Sequence, residues 1–126
     1  MLVSHSLPLA SGLADLVAQV AGPSVQILPV GGAVDGSLGT DGERVLDVLR
    51  VAAQGAGSVV LMDLGSSVLA VKAALDELSD DESARLAVVD GPFVEGAVAA
   101  GVLASIGASL AEVAQAAAEA RHAYKL

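Results

Sequence analysis

Two segments of this chain carry residue types that could do chemistry together. The first is "VSHS" at the start, where His5 stands between two serines and is one of only two histidines in the chain. The second is "MDLGSS", where Asp63 precedes a Gly-Ser-Ser run. A neutral imidazole is nucleophilic through its unprotonated ring nitrogen. A carboxylate that accepts a hydrogen bond from the other nitrogen fixes the tautomer and offsets the charge that develops. The amides of Gly65, Ser66 and Ser67 would open the helix that follows Asp63, and helix N-termini favour anions. A third segment, "GGAVDGSLGTDGE", brings Gly39 and Thr40 in a glycine-rich loop. Histidine nucleophile, carboxylate orienter and amide-rich cradle together describe a phosphohistidine site.

Each of these residues also has a plainer reading. A strand-end histidine can be a hydrogen-bonded structural residue. Asp63 can be a turn residue that caps the next helix. Thr40 and Glu43 match a T-x-x-E capping box, which predicts a helix starting at Thr40. His122 reads as a solvated helix-end residue, and the few Lys and Arg form no patch.

The elements that must position these residues alternate between strand and helix. "MLVSH" is a short strand, and "LPLASGLADLVAQVAG" a helix with Leu9, Leu13, Leu16, Val17 and Val20 at helical spacing. Pro8 lies near its start and Gly22 just past its end. "SVQILPV" is a second strand, and Pro29 within it suits a sheet edge. The second helix presents Val45, Leu46, Leu49 and Ala53. "SVVLMDL" is a continuous apolar run, as expected of a strand covered on both faces. "GSSVLAVKAALDELSD" is a helix with Leu75 and Leu78 among its buried positions. "RLAVVD" is the fourth strand, stopped by Gly91-Pro92, and two helices follow, "FVEGAVAAGVLASIG" and "SLAEVAQAAAEARHAY". The last opens on a second capping box, Ser109 with Glu112. Gly96, Ala97, Ala100, Gly101 and Ala104 form a small-residue stripe that allows close helix approach, within the subunit or across a dimer.

This order predicts an α/β fold: a doubly wound open sheet of about four parallel strands with helices on both faces, as one domain over 1–126. In such sheets ligands bind beyond the carboxyl ends of the strands, where strand order reverses. If the chain starts in mid-sheet, that point lies between the first and third strands, where His5 and Asp63 end. The loop carrying Gly39 and Thr40 follows the second strand on the same edge.

Composition removes other classes. The chain has 126 residues, 54% hydrophobic and 17% charged, which excludes disorder. That apolar content leaves room for a subunit interface. Phe93 and Tyr124 are the only aromatics, and the net charge of −9 repels phosphate backbones and anionic lipid. Nucleic acid is therefore not an expected partner. Without cysteine there is no disulfide or thiol chemistry. No basic n-region marks a signal peptide, and "GAVAAGVLASIGASLA" falls short of the ~20 residues of a membrane span, so a cytoplasmic protein without membrane insertion is expected. Walker A, G-x-G-x-x-G and G-x-S-x-G motifs are missing, no metal-ligand cluster is evident, and "SHS" stands where a receiver domain would place acidic residues.

"VSHS", "GGAVDGSLGTD", "MDLGSSVLAVKAALD" and "GPFVEGAVAA", in this order and over essentially the whole chain, resemble the mannose-type IIA domains of the bacterial phosphotransferase system. The nearest branch is the IIA-like domain of dihydroxyacetone-kinase phosphoryl-donor subunits (the DhaM branch). The resemblance implies a homodimeric doubly wound domain in which His5 is phosphorylated, Asp63 supports its ring, and Gly39 and Thr40 lie beside the phosphoryl group. With the amides near Ser6, Gly65 and Ser66, these are the expected phosphoryl-stabilising residues; no metal site is expected. It further implies a phosphotransferase, the phosphohistidine donor subunit of a phosphoenolpyruvate-dependent dihydroxyacetone kinase. An HPr-type phosphocarrier would load His5. ADP bound in the kinase's nucleotide-binding subunit would unload it, so no cofactor is expected on this chain and Mg-ADP or ATP belongs to that partner. The chain ends soon after a helix, with neither the extra strand and IIB fusion of sugar-specific relatives nor attached HPr-like and enzyme-I-like domains. A separate HPr-type donor is therefore expected. Two alternatives remain: a sugar-uptake IIA domain donating to a IIB partner, and a regulatory module read through the state of His5.

Overall fold

The first strand, β1, is only Leu2–Ser4, because Ser6 ends it by capping the helix α1 (Leu7–Ala21). The Ser6 hydroxyl accepts the Leu9 amide at 3.4 Å, Pro8 sits in the first turn, and Gly22 closes the helix at φ 81°. A computed structural model describes residues 1–126. The remaining elements are β2 (Pro29–Gly31), α2 (Gly42–Ala52), β3 (Ser58–Met62), α3 (Gly65–Leu75), α4 (Asp80–Ser83), β4 (Leu86–Val88), α5 (Phe93–Ser105) and α6 (Leu110–Glu119), ending in a 3₁₀ turn over Ala120–His122.

All strand pairs are parallel, in the order β2-β1-β3-β4. The α/β doubly wound architecture expected from the sequence is present. β2 is an edge strand and Pro29 is its first residue, where a missing N–H costs no ladder bond. Pairing begins only there, so most of "SVQILPV" approaches the sheet as irregular chain.

Successive strand residues point to opposite faces, and two cores follow from that. Leu2, Val59 and Leu61 pack with Leu13 and Val17 of α1, Ala97 and Ala100 of α5, and Val113 and Ala117 of α6. Val3, Val30 and Val60 pack on the other face with Val45 and Leu49 of α2 and Val71 and Ala74 of α3. The small-residue stripe of α5 works within the subunit. A Cβ on Gly101 would lie 2.6 Å from Val17 Cγ1 and 3.3 Å from Ala21 Cβ; one on Gly96 would lie 3.1 Å from the Ala117 carbonyl oxygen.

That close approach corrects the reading of α1. Its buried face is Ala10, Leu13, Ala14, Val17 and Ala21, whereas Leu9, Leu16 and Val20 are about half exposed. A helix pressed against a glycine stripe must bring alanines to the contact. The capping box at Thr40 is also corrected. α2 starts at Gly42, and Asp41 is its cap, with Oδ1 accepting the amides of Glu43 at 3.1 Å and Arg44 at 3.3 Å. Thr40 instead forms an isolated parallel bridge with Gly32, extending the sheet edge. The third helix ends at Leu75, earlier than its sequence pattern, and α4 follows with its own capping box of Ser79 and Glu82. The second predicted box, Ser109 with Glu112, is present at α6.

Candidate active site

The reversal of strand order falls between β1 and β3, and both strands end on the chemistry. Val3 pairs with Met62, so Ser4 and His5 emerge beside Asp63. His5 Nδ1–H donates to Asp63 Oδ2 at 2.6 Å. The His5 amide points at the same carboxylate, 3.2 Å from Oδ2 and 3.3 Å from Oδ1. Nε2 of His5 has no protein partner, and the ring is partly open to solvent at 27% exposure. One imidazole nitrogen is held and the other is free.

Asp63 is the most heavily bonded side chain in the site, at 6% exposure. Oδ2 also accepts the Ser4 hydroxyl at 2.6 Å. Oδ1 accepts the Leu64 amide at 2.6 Å and lies 2.8 Å from the Ser67 hydroxyl, which also reaches the Leu64 carbonyl at 2.7 Å. Burial pushes the carboxyl pKa up, but the hydrogen bonds from Ser4, Ser67, Leu64 and His5 outweigh it and bring the group down to about 2. Asp63 is thus a fixed anion throughout the neutral range. Ser4 and Ser67 are fully buried, and the sequence did not point to either hydroxyl; the Ser67 amide, expected among the anion-holding groups, is instead bonded to the Leu64 carbonyl at 3.1 Å. Their signals were modest: a serine directly before the histidine, and a serine four residues after Asp63, the spacing of one helical turn.

The glycine-rich loop and the start of α3 meet beside the His5 segment. α3 begins after Leu64 with no side-chain cap, and the amides of Gly65 and Ser66 have no protein acceptor. The Ser66 hydroxyl meets Thr40 Oγ1 at 3.2 Å, joining the second loop to the start of α3. The Gly39 amide donates to the His5 carbonyl at 2.8 Å, which pins that loop to the histidine backbone. Gly39 sits at φ 147° with Ala33 Cβ 3.2 Å from where its own Cβ would be, so only glycine makes this approach without strain. The Ser6 amide is occupied by Ser4 Oγ at 2.9 Å. Ser6 can therefore reach an anion only through its hydroxyl proton. His122 lies far along the chain in the exposed terminal turn.

No group of three or more His, Cys, Asp or Glu side chains comes together to hold a metal. An apolar cavity of about 420 Å³ lies at the opposite, amino-terminal edge of the sheet, lined by residues such as Val25, Ile27, Val59 and Leu110 and by none of the site residues. No helix is long and apolar enough to cross a membrane.

Comparison with known proteins turns on this same stretch of chain. Residues 1–114 match the family EIIA-man, described as the PTS system fructose IIA component. The chain belongs to the EIIA-man family. Among curated relatives, the phosphoryl donor subunit DhaM of PEP-dependent dihydroxyacetone kinase 2 from Listeria innocua is 32% identical, over 81% of this chain and 82% of its own length. The phosphotransferase subunit DhaM of the PTS-dependent dihydroxyacetone kinase from Lactococcus lactis is 31% identical, over 86% of this chain and 84% of its own. The Escherichia coli DhaM is 30% identical over 90% of this chain, which spans only 25% of that longer protein. A solved structure, a protein of unknown function called EF1359, superposes with a TM-score of 0.82 at 33% identity, covering 92% of this chain and 88% of the other. The EIIA-man resemblance read from four sequence blocks is thereby established. Family and relatives together support a phosphoryl-carrier role of the phosphotransferase-system type.

Proposed function

We propose that the chain is the phosphoryl-carrier subunit of a phosphoenolpyruvate-dependent dihydroxyacetone kinase, acting in the cytoplasm as a homodimer, with His5 as the phosphorylated residue. The observation that carries this reading is the 2.6 Å contact of His5 Nδ1 with Asp63, which leaves Nε2 as the nucleophile at the open edge.

In this reading, a phosphorylated HPr-type carrier docks over the carboxyl edge. The Nε2 lone pair forms a bond to phosphorus as the donor's bond to phosphorus breaks, and that electron pair stays with the donor. The Nδ1 proton remains on the ring, and Asp63 offsets the ring's positive charge. The Gly65 and Ser66 amides, with the Ser66, Thr40 and Ser6 hydroxyls, face the transferred oxygens. Such a reaction needs positioning and electrostatics more than covalent machinery. In the second half, a terminal phosphate oxygen of ADP on the nucleotide-binding subunit attacks phosphorus and the N–P electron pair returns to Nε2. Metal and nucleotide then belong to the partner.

The test is intact-mass measurement after incubation with phosphoenolpyruvate, enzyme I and HPr. One acid-labile, base-stable phosphoryl group, lost in His5→Ala, supports the carrier. No gain with competent donors overturns it. A second reading, a sugar-uptake IIA domain, is favoured by the description of the matching family as a fructose component. Offering purified kinase subunits and a IIB domain as acceptors separates the two. Light scattering in solution tests the dimer.

A further inference from the structure

Asp63 is bonded far more heavily than an orienting residue needs. His5 Nδ1–H alone, at 2.6 Å, would hold the ring and its tautomer. Yet two serines, both fully buried, are directed at the same carboxylate, one at each oxygen. We propose that the Ser4 and Ser67 hydroxyls draw negative charge off Asp63 and so set how readily phospho-His5 gives up its phosphoryl group. The proposal rests on the reading of His5 as the phosphorylated residue and adds what controls the strength of the bond.

The geometry at Ser4 is specific. Its oxygen accepts the Ser6 amide at 2.9 Å, which turns its single proton toward Asp63 Oδ2 at 2.6 Å. Oδ2 is therefore shared between the Ser4 hydroxyl and His5 Nδ1–H at equal distance. On Oδ1 the Leu64 amide donates at 2.6 Å, and Ser67 shares its single proton between Oδ1 at 2.8 Å and the Leu64 carbonyl at 2.7 Å, so its pull on the carboxylate is weaker than that of Ser4. Hydrogen bonds to a carboxylate stabilise its charge and make it a weaker base.

That weakening has a consequence for the phosphorylated state. With Nε2 bonded to phosphorus and Nδ1 still protonated, the ring is a cation. A bare, basic carboxylate would either stabilise that cation strongly or take its proton. Each outcome strengthens the N–P bond, because the departing ring nitrogen becomes a poorer leaving group. A carrier must instead release what it accepts. Two hydroxyls on the carboxylate keep Asp63 as a restraint on the ring without letting it trap the phosphoryl group. A purely structural role for the serines would change the rate of exchange in both directions alike and leave its equilibrium unchanged.

The experiment uses the full chain as wild type, Ser4→Ala and Ser67→Ala, with Ser4→Thr as the variant that keeps a hydroxyl. Each is loaded with phosphoramidate, a small-molecule phosphoryl donor, and the site is mapped by digestion and mass spectrometry. Spontaneous loss at fixed pH and temperature is then followed by intact mass. In that loss, water oxygen attacks phosphorus, its proton leaves with the phosphate product, and the N–P electron pair returns to Nε2. Each chain is also mixed with HPr and the distribution of phosphoryl groups read at equilibrium.

Ser4→Ala is expected to lose phosphate about five-fold more slowly and to shift the exchange about five-fold toward phospho-His5, and Ser67→Ala, whose proton is shared, about two-fold in the same directions. Ser4→Thr should restore wild-type values. Wild-type loss rates and equilibria in both alanine variants would overturn the proposal, as would faster loss. If Ser4→Ala does not fold by circular dichroism, Ser67→Ala tests the same idea from the other oxygen. A wild-type chain that loads on His5 from phosphoramidate but does not exchange with HPr overturns the carrier reading, while the loss rates still decide the role of the serines. Failure to load His5 from either donor overturns both.

Discussion

His5 and Asp63 stand 58 residues apart in sequence and 2.6 Å apart in space, and the parallel pairing of β1 with β3 alone brings them together. The carboxylate sees the ring through Nδ1 and the backbone through the His5 amide, so it fixes both the position and the tautomer of the imidazole. Asp63→Asn keeps the shape but can offer its amide nitrogen where an acceptor is required. Phosphoryl transfer from HPr should fall by up to ~10⁴-fold, the cost of a wrong histidine tautomer in a serine-protease triad. Quenched-flow measurement of His5 phosphorylation checks this; an unchanged rate would reduce Asp63 to a turn residue.

The same carboxyl makes folding stability depend on acid. Its pKa is held at about 2 in the fold against an ordinary 3.8. Between those values the unfolded chain binds more protons than the folded one, so stability rises with pH. The contribution is complete above about pH 4 and disappears as pH falls through about 2. Urea unfolding of wild type should lose about 2 kcal/mol more than Asp63→Asn between about pH 5 and pH 2. Parallel pH profiles for the two chains would refute it.

Thr40 and Asp41 are neighbours with separable duties. Asp41 caps α2 through Oδ1, whereas Thr40 reaches Ser66 across the cleft at 3.2 Å. Asp41→Ala should lower stability by about 1 kcal/mol as the cap is lost. Thr40→Val, nearly the same shape, should leave the melting temperature alone and slow transfer about ten-fold by removing a hydroxyl from the phosphoryl side. If Thr40→Val destabilises the chain and Asp41→Ala does not, the sequence pattern T-x-x-E described the cap correctly after all.

That pair also shows what the sequence could and could not convey. The juxtaposition of His5 with Asp63 was legible because both residues end strands, and a doubly wound sheet whose chain starts in the middle places the first strand beside the third. The cap was not, since Thr40 and Asp41 are both good capping residues, and only the bridge from Thr40 to Gly32 decides between them. α4 was legible in principle, because Ser79 and Glu82 have capping-box spacing, but four residues carry too little periodicity to read as a helix. Leu9, Leu16 and Val20 misled for a tertiary reason: the glycine stripe of α5 selects the alanine face of α1, and nothing local to α1 encodes its partner. The bonds of Ser4 and Ser67 to Asp63 were hidden for different reasons: that of Ser4 crosses from β1 to the end of β3, and that of Ser67 spans one turn that closes only because α3 starts directly after Leu64.

Gly31 is where sheet geometry and site geometry meet. A Cβ there would lie 2.6 Å from the Ser4 carbonyl oxygen and 3.0 Å from the carbonyl carbon and oxygen of Ser6. These are backbone atoms on either side of His5, so no side-chain rotation relieves the contact. Either β2 moves off β1 or the His5 segment moves away from Asp63. Gly31→Ala should therefore cost about 2 kcal/mol in chemical denaturation and reduce phosphoryl transfer beyond the loss of folded protein. Gly12 supplies the contrast, because it lies in the interior of α1 with nothing within 4 Å of its would-be Cβ. Gly12→Ala should stabilise by about 0.5–1 kcal/mol and leave transfer unchanged. If Gly31→Ala folds and transfers like wild type, then β1 and β2 are not held together tightly enough for the sheet to be what aligns His5.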